Sequence, residues 1–345
     1  MPPAALRRPI TVTVWLLVST VVLVLSPALL AMAAIASAVT GRPQMLIFTR
    51  LAIVYFALEL GVLIACGGLW LAACAGLLIK TPLFQRLHLA LLRRFVHGFT
   101  LRWTALLEIE VAAEETSEAS RALEADGPLL FFSRHAGPGD TIVLIDRLLT
   151  RYNRAPSVVF KESVAIDPSV DLIAHRLPHA VLDTADPEAC EARIEEVAAG
   201  LGARGVLVLF PEGGNFTPER RRRAISKLRR TGHRTEAARA DQMEHVLPPR
   251  PGGALAALRG NPGAAVVFGA HTGLGLAAFP RDVWRETPFA RTFESVMWLT
   301  PVDERPTDPD ALVEWLYGWW RRLDDWVEAQ GEEPRSSADE GEIFN

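Results

Sequence analysis

Apolar positions crowd the first quarter of the chain. From Arg8 to Arg42 no charge interrupts residues 9–41, and from Leu51 to Ile79 only Glu59 breaks a second apolar run. A spanning helix needs about 20 apolar residues, so both runs suffice. The short link Gly41–Arg50 between them predicts a transmembrane helical hairpin over residues 1–80, with both ends on one side. From Thr81 to Trp103, Leu83, Phe84, Leu87, Leu91, Phe95 and Phe99 recur among Arg86, Arg93, Arg94 and Arg102. That spacing predicts an amphipathic helix, 81–103, lying on a membrane surface or packed on a core. Beyond residue 104 short apolar runs read as strands: Leu106–Val111, Leu129–Phe132, Val158–Phe160, Ala180–Leu182, Val206–Phe210, Ala264–Ala270 and Ser295–Leu299. Helical patterns such as Thr141–Arg151 and Pro187–Leu201 lie between them. The alternation predicts an α/β domain over 104–306, a mixed sheet flanked by helices. Asp308-Pro309 suits an N-cap and first turn. Leu312, Trp315, Leu316, Trp319, Leu323, Trp326 and Val327 then follow at helical spacing, which predicts a C-terminal amphipathic helix over 307–330. The polar, acidic end, 331–345, is expected to be disordered.

Charge adds an orientation. Arg7 and Arg8 precede the hairpin and Lys80, Arg86, Arg93 and Arg94 follow it, whereas the link holds only Arg42 and Arg50. The positive-inside bias puts the N-terminus and the large C-terminal part in the cytoplasm. A cleaved signal peptide fits less well, because its apolar core is about 7–15 residues. Glu59 is expected to face the partner helix or the loop end. The formal net charge of −4 over 345 residues gives no global field for nucleic acid. Cys66, Cys74 and Cys190 form neither a disulfide framework nor a metal spacing, and no metal is expected.

Two stretches carry candidate chemistry. The first is SRHAGPGD, Ser133–Asp140, directly after an apolar strand. His135 and Asp140 are five residues apart, about 500° on a continuous helix, so they meet only if the backbone folds back. Gly137-Pro138-Gly139 suits a reversal, with glycines free to take positive φ. A carboxylate on one imidazole nitrogen fixes the tautomer and makes the other nitrogen a better base. No G-x-S-x-G elbow is present, so the proton removed would come from a substrate hydroxyl. A solvated histidine in a turn is an equal reading of this stretch alone. The second is VLVLFPEGGNFTPERRRR, Val206–Arg223, where a strand runs into Phe210-Pro211-Glu212-Gly213-Gly214. Arg220–Arg223, Lys227, Arg229, Arg230, Arg234 and Arg239 follow; arginine matches phosphate geometry, and a solvated helical face is the alternative. A third stretch, Gly273-Leu274-Gly275-Leu276-Ala277-Ala278, reads G-x-G-x-x-A, but Pro280 comes soon after and no second βαβ unit supports a nucleotide site.

The pair RHAGPGD and LFPEGGNFT resembles blocks I (H-x-x-x-x-D) and III (F-P-E-G) of the 1-acylglycerol-3-phosphate/lysophospholipid O-acyltransferases. EHVLPPRPGGALAAL, Glu244–Leu258, is similar to the segment downstream of block III in the lysocardiolipin-acyltransferase-like branch. The resemblance covers about residues 80–300, and its two motifs stand in order, about 70 residues apart, each after a strand. It implies a membrane-bound acyltransferase moving a fatty acyl group from an acyl thioester to the free hydroxyl of a lysophospholipid or 1-acylglycerol-3-phosphate. His135 would be the general base and Asp140 its orienting partner. Glu212, Gly213, Lys161 and Arg250 would bind the acceptor. Acyl-CoA or acyl carrier protein is the implied co-substrate, with membrane lipids as partners and no cofactor. Two departures stand out: Arg134 replaces the usual asparagine before the histidine, and Gly214-Asn215 replaces Thr-Arg after F-P-E-G. The latter removes an arginine for a free phosphate monoester and makes larger headgroups equally suitable. A catalytically inactive lipid-binding protein on the same fold is the alternative. The Gly137 and Gly139 amides are candidate oxyanion donors, and His271 could line the site.

Overall fold

The computed structural model describes residues 3–182, 186–274 and 280–331. The expected disordered tail, and most of the Gly273–Ala278 stretch, lie outside them. Two long helices come first, α1 (Ala4–Thr40) and α2 (Gln44–Ala72), then α3 (Pro82–Leu107). The remainder alternates: β1 (Ile109–Glu115), α4 (Ser117–Glu124), β2 (Leu129–Ser133), α5 (Pro138–Thr150), β3 (Ala155–Lys161), α6 (Pro168–Arg176), β4 (Ala180–Leu182) and α7 (Pro187–Ala199). Then come β5 (Gly205–Leu209), α8 (Pro218–Arg230), α9 (Arg234–Asp241), α10 (Pro251–Gly260), β6 (Ala265–His271), α11 (Pro280–Glu286), β7 (Arg291–Thr300) and α12 (Pro309–Ala329).

The seven strands form one mixed sheet in the order β1-β7-β6-β2-β5-β3-β4. β6, β2, β5, β3 and β4 run parallel, β7 is antiparallel to β6, and β1 is parallel to β7. Every residue of β2 and β5 is buried, because helices cover both faces; this is why these strands read as unbroken apolar runs. On one face Leu130, Phe132, Leu207 and Leu209 pack with α7–α10 and α12. There the tryptophan stripe of α12 closes on the sheet: Trp319 stacks on Phe268 at 4.4 Å between centroids. Asp308 caps α12 by accepting from the Ala311 N–H. On the other face Leu129, Phe131, Val206 and Val208 pack with α4 and α5.

The strand expected at Leu106–Val111 begins only at Ile109. Leu106 and Leu107 complete α3, which ends at Glu108 in a left-handed cap, φ 56°. A short apolar run fits helix and strand equally well, so periodicity could not place this boundary. α3 buries Phe84, His88, Val96, Thr100, Trp103, Thr104 and Leu107, while Leu83 and Leu87 of the expected apolar face stay exposed.

Both α1 and α2 are long and apolar enough to cross a membrane, and Trp15 donates across the pair to Tyr55 Oη. The hairpin is tied to the sheet domain at the start and in the middle of α2. Near its start Gln44 donates to the Thr287 carbonyl and Ile47 enters a cluster with Trp103, Phe289 and Phe293. Further along, Tyr55 donates to Asp167 at 2.6 Å and the Ser169 N–H donates to Glu59. Glu59 therefore faces α6, not the partner helix or the loop end. Arg7 and Arg8 of α1 both pair with Asp171 of α6, at 2.7 and 2.9 Å.

Candidate functional site

β6, β2 and β5 are neighbours in the sheet, and their carboxyl ends open on one edge. His271 closes β6, His135 comes just after β2, and Glu212 just after β5. The fold thus unites motifs far apart in sequence, in the crevice where α/β sheets bind ligands.

His135 and Asp140 meet: Nδ1 lies 3.1 Å from Oδ1 and 3.3 Å from Oδ2. The means differs from the expected glycine turn. Gly137 is extended, φ −165°, and it caps α5, so Asp140 is the third residue of that helix rather than part of a reversal. Asp140 Oδ2 accepts the Ala136 and Gly137 N–H groups at 2.7 and 2.8 Å, and Thr141 donates to Oδ1. This carboxylate, at the third helix position, reaches back to the N–H groups of the cap residue and its predecessor, as in a capping box. Gly139 matters for space: a Cβ there would come within 3.0 Å of the Trp103 ring and 3.3 Å of Leu274. Because the Gly137 N–H is spent on Asp140, it drops out as an oxyanion donor. Gly139 remains a candidate, since first-turn N–H groups lack intrahelical acceptors.

With Nδ1 turned to Asp140, Nε2 is on the far side of the ring, and the His135 side chain keeps 19% exposure against 1% for Asp140. Phe210 packs on the imidazole at 4.5 Å between centroids. Burial alone would lower the His135 pKa, but the Asp140 charge and hydrogen bond, with Glu212 beyond, carry it above the usual imidazole value. Burial would raise Asp140; the two imidazoles His135 and His271 and the Gly137 N–H instead hold it well below the carboxylate range.

The motif predicts that Glu212 touches the acceptor. Its carboxylate is 1% exposed, and each oxygen accepts a backbone N–H, from His135 at 3.4 Å and from Leu247 at 3.3 Å. It therefore ties the His135 loop to the 244–250 segment. Burial pushes its pKa up to about 8, against the opposing pull of Arg134 and His135. Arg134 is equally buried and donates to the carbonyls of His245, at 3.2 Å, and of His271. Below it Asp324 of α12 accepts the Glu244 and His245 N–H groups. Neither Arg134 nor Asp324 could be placed from sequence; the sole signal was Arg134 departing from the motif.

Gly213 and Arg250 do come together. Gly213 has φ 70°, and a Cβ on it would lie 2.9 Å from the Arg250 guanidinium. Arg250 is held by its own N–H, which donates to the Pro211 carbonyl at 2.9 Å. Arg220, in sequence only one member of a basic cluster, approaches the next residue: its Nη1 would lie 3.4 Å from a Cβ on Gly214 and donates to the Asn215 carbonyl. It also acts on His135 electrostatically. Two guanidinium groups thus flank the Gly213-Gly214 loop. Part of the remaining cluster is structural: Arg221 holds carbonyls of Ala240 and Asp241, Arg223 pairs with Glu219, and Arg229 with Asp241. Lys161 closes β3, and its side chain lies outside the described residues. Among the described residues no cluster of histidine, cysteine, aspartate or glutamate has the makings of a metal site.

Gly213→Ala should be felt twice, through the left-handed backbone and through displacement of Arg250. The strained conformation costs about 1–2 kcal/mol, which lowers the melting temperature by roughly 2–4 °C per kcal/mol. Gly202→Ala, where a Cβ meets nothing within 4 Å, is the control, and thermal unfolding of both checks it.

No curated protein matches the chain. One similar solved structure is the 1-acyl-sn-glycerophosphate (LPA) acyltransferase PlsC from Thermotoga maritima, 16% identical, covering 72% of this chain and 83% of that chain with a TM-score of 0.48. Residues 108–260, which hold His135, Asp140, Glu212, Arg220 and Arg250, match the family model described as Acyltransferase.

Proposed function

We propose that this protein is a membrane-bound acyltransferase that moves a fatty acyl group from an acyl thioester to the free hydroxyl of a lysophospholipid or 1-acylglycerol-3-phosphate. The observation that carries the reading is the His135–Asp140 pair beside a loop flanked by Arg220 and Arg250. His135 Nε2 takes the proton of the acceptor hydroxyl as its oxygen attacks the thioester carbonyl. The tetrahedral adduct collapses, the C–S bond breaks, and the thiolate leaves with a proton returned through the same imidazole. General-base help of this kind is worth about 10²–10⁴-fold. Arg220 and Arg250 receive the phosphate of the acceptor, replacing the arginine that the commoner motif carries after F-P-E-G.

The acceptor and the donated chain are lipids, so the site belongs at a bilayer surface. The apolar hairpin supplies that placement. Acyl-CoA and acyl carrier protein both satisfy the thioester requirement. The branch resembling lysocardiolipin acyltransferases fits the loop Gly213-Gly214-Asn215.

The test crosses both thioester donors with a panel of lysophospholipids of different headgroups, using the full chain in lipid nanodiscs. Transfer to at least one phosphate-bearing acceptor is expected. Arg220→Ala with Arg250→Ala should raise the acceptor KM by about tenfold or more, from lost charge-assisted hydrogen bonds, and leave the donor KM nearly unchanged. No transfer to any acceptor from either donor would overturn the proposal.

A further inference from the structure

Asp140 accepts four local hydrogen bonds and makes one further contact. His135, Ala136, Gly137 and Thr141 all belong to the loop and helix start that carry the carboxylate itself. The further contact comes from the sheet: His271 Nε2, at the end of β6, lies 3.4 Å from Asp140 Oδ2. The same nitrogen lies 3.0 Å from the Arg134 carbonyl. Both neighbours are acceptors, so Nε2 carries the proton. The ring is 5% exposed and stacks on Phe293 of β7 at 5.4 Å between centroids. Its own carbonyl accepts from the Arg134 guanidinium, which also holds His245. One imidazole therefore joins the pair's carboxylate, the residue before His135, and two neighbouring strands.

We propose that His271 is a positioning residue for the His135–Asp140 pair, anchoring Asp140 to β6 through Nε2–H. The inference rests on the acyl-transfer reading. The local donors fix Asp140 relative to His135, and Glu212 ties the same loop through the His135 N–H, but neither holds the carboxylate itself to the sheet. His271 sets that loop against the sheet, and hence against the Gly213-Gly214 loop where the acceptor would lie. Without it Asp140 keeps its charge and its backbone bonds, yet the imidazole loses its fixed distance from the attacked carbonyl. Binding is little altered, since His271 touches neither Arg220 nor Arg250 among the contacts described.

His271→Phe removes the donor and keeps an aromatic ring against Phe293. His271→Gln places an amide N–H where Nε2 stood. In the full chain His271→Phe is expected to lower kcat by about tenfold, the scale of one hydrogen bond to a charged group, with acceptor KM little changed and His271→Gln recovering most of the loss. Should the Phe variant not fold, His271→Asn, whose amide falls short of Asp140, takes its place. Wild-type kcat in the removing variant, a rise in KM accounting for the loss, or failure of Gln to recover activity would each overturn the proposal. A second readout does not depend on activity. Histidine-labelled NMR at alkaline pH should show His135 protonated at Nδ1 in both proteins, with its ring in one sharp environment in the wild type and in several, or broadened by exchange, in the removing variant. A single unchanged His135 environment in the removing variant overturns the positioning role. A wild type that transfers no acyl group sinks the acyl-transfer reading alone, and the NMR result then decides His271.

Discussion

His135→Ala is expected to lose nearly all acyl transfer, with kcat down about 10²–10⁴-fold, while the protein stays folded. The expected survival of the fold comes from the geometry around Asp140. Removing the imidazole takes away one donor, but the Ala136 and Gly137 N–H groups, the Thr141 hydroxyl and His271 remain on the buried carboxylate. A buried charge that keeps such partners does not bring the full penalty of an orphaned one. The acceptor KM should change little, because the guanidinium groups of Arg220 and Arg250 flank the Gly213-Gly214 loop rather than the imidazole. Initial rates of phospholipid formation at saturating donor, with thermal unfolding alongside, check both parts. A variant with wild-type turnover would remove His135 from the chemistry.

Part of this site was legible because its signals are local. The run into His135, the glycines around Pro138 and the carboxylate at 140 lie within one short stretch. Sequence placed the two groups together, yet misjudged the means. A reversal through positive-φ glycines was expected, and the chain uses a helix start instead, with Asp140 drawing on free N–H groups. Helix caps of this kind are hard to foresee when the helix opens on Gly-Pro-Gly, whose residues also favour turns.

The features that escaped the sequence depend on the sheet order. Nothing local says that β6, β2 and β5 are neighbours, so nothing local brings His271 under Asp140 or Arg134 against His245. Glu212 shows the same limit from the other side. Its motif position was plain, but only its burial and its two backbone partners reveal a tie between loops. The hairpin was legible as two apolar runs. Its docking was not, because Arg7, Arg8 and Glu59 find their partners on α6, more than a hundred residues away.

Asp140→Asn should change the pH dependence as well as the rate. In the wild type the imidazole must be neutral to take a proton, and its pKa is raised. The acid limb of kcat/KM therefore lies above about 6.5, the ordinary histidine value. The asparagine keeps the shape and removes the charge. Burial then acts on His135 with much less opposition, so the limb moves below that value. At neutral pH more of the imidazole is in its basic form, yet activity falls, by about a hundredfold or more, because the tautomer is no longer held with the proton on Nδ1. Stability obeys the same signs. The raised His135 contributes stability that is complete below its unfolded value and is lost as pH rises through the folded one. The depressed Asp140 contributes above about 3.8 and loses it as pH falls through its folded value. The wild type should thus exceed Asp140→Asn in stability most between about pH 4 and 6.5, which denaturant unfolding across that range would measure. A pH–rate profile in Asp140→Asn whose acid limb stays where the wild type has it would mean that the carboxylate does not set the basicity of His135.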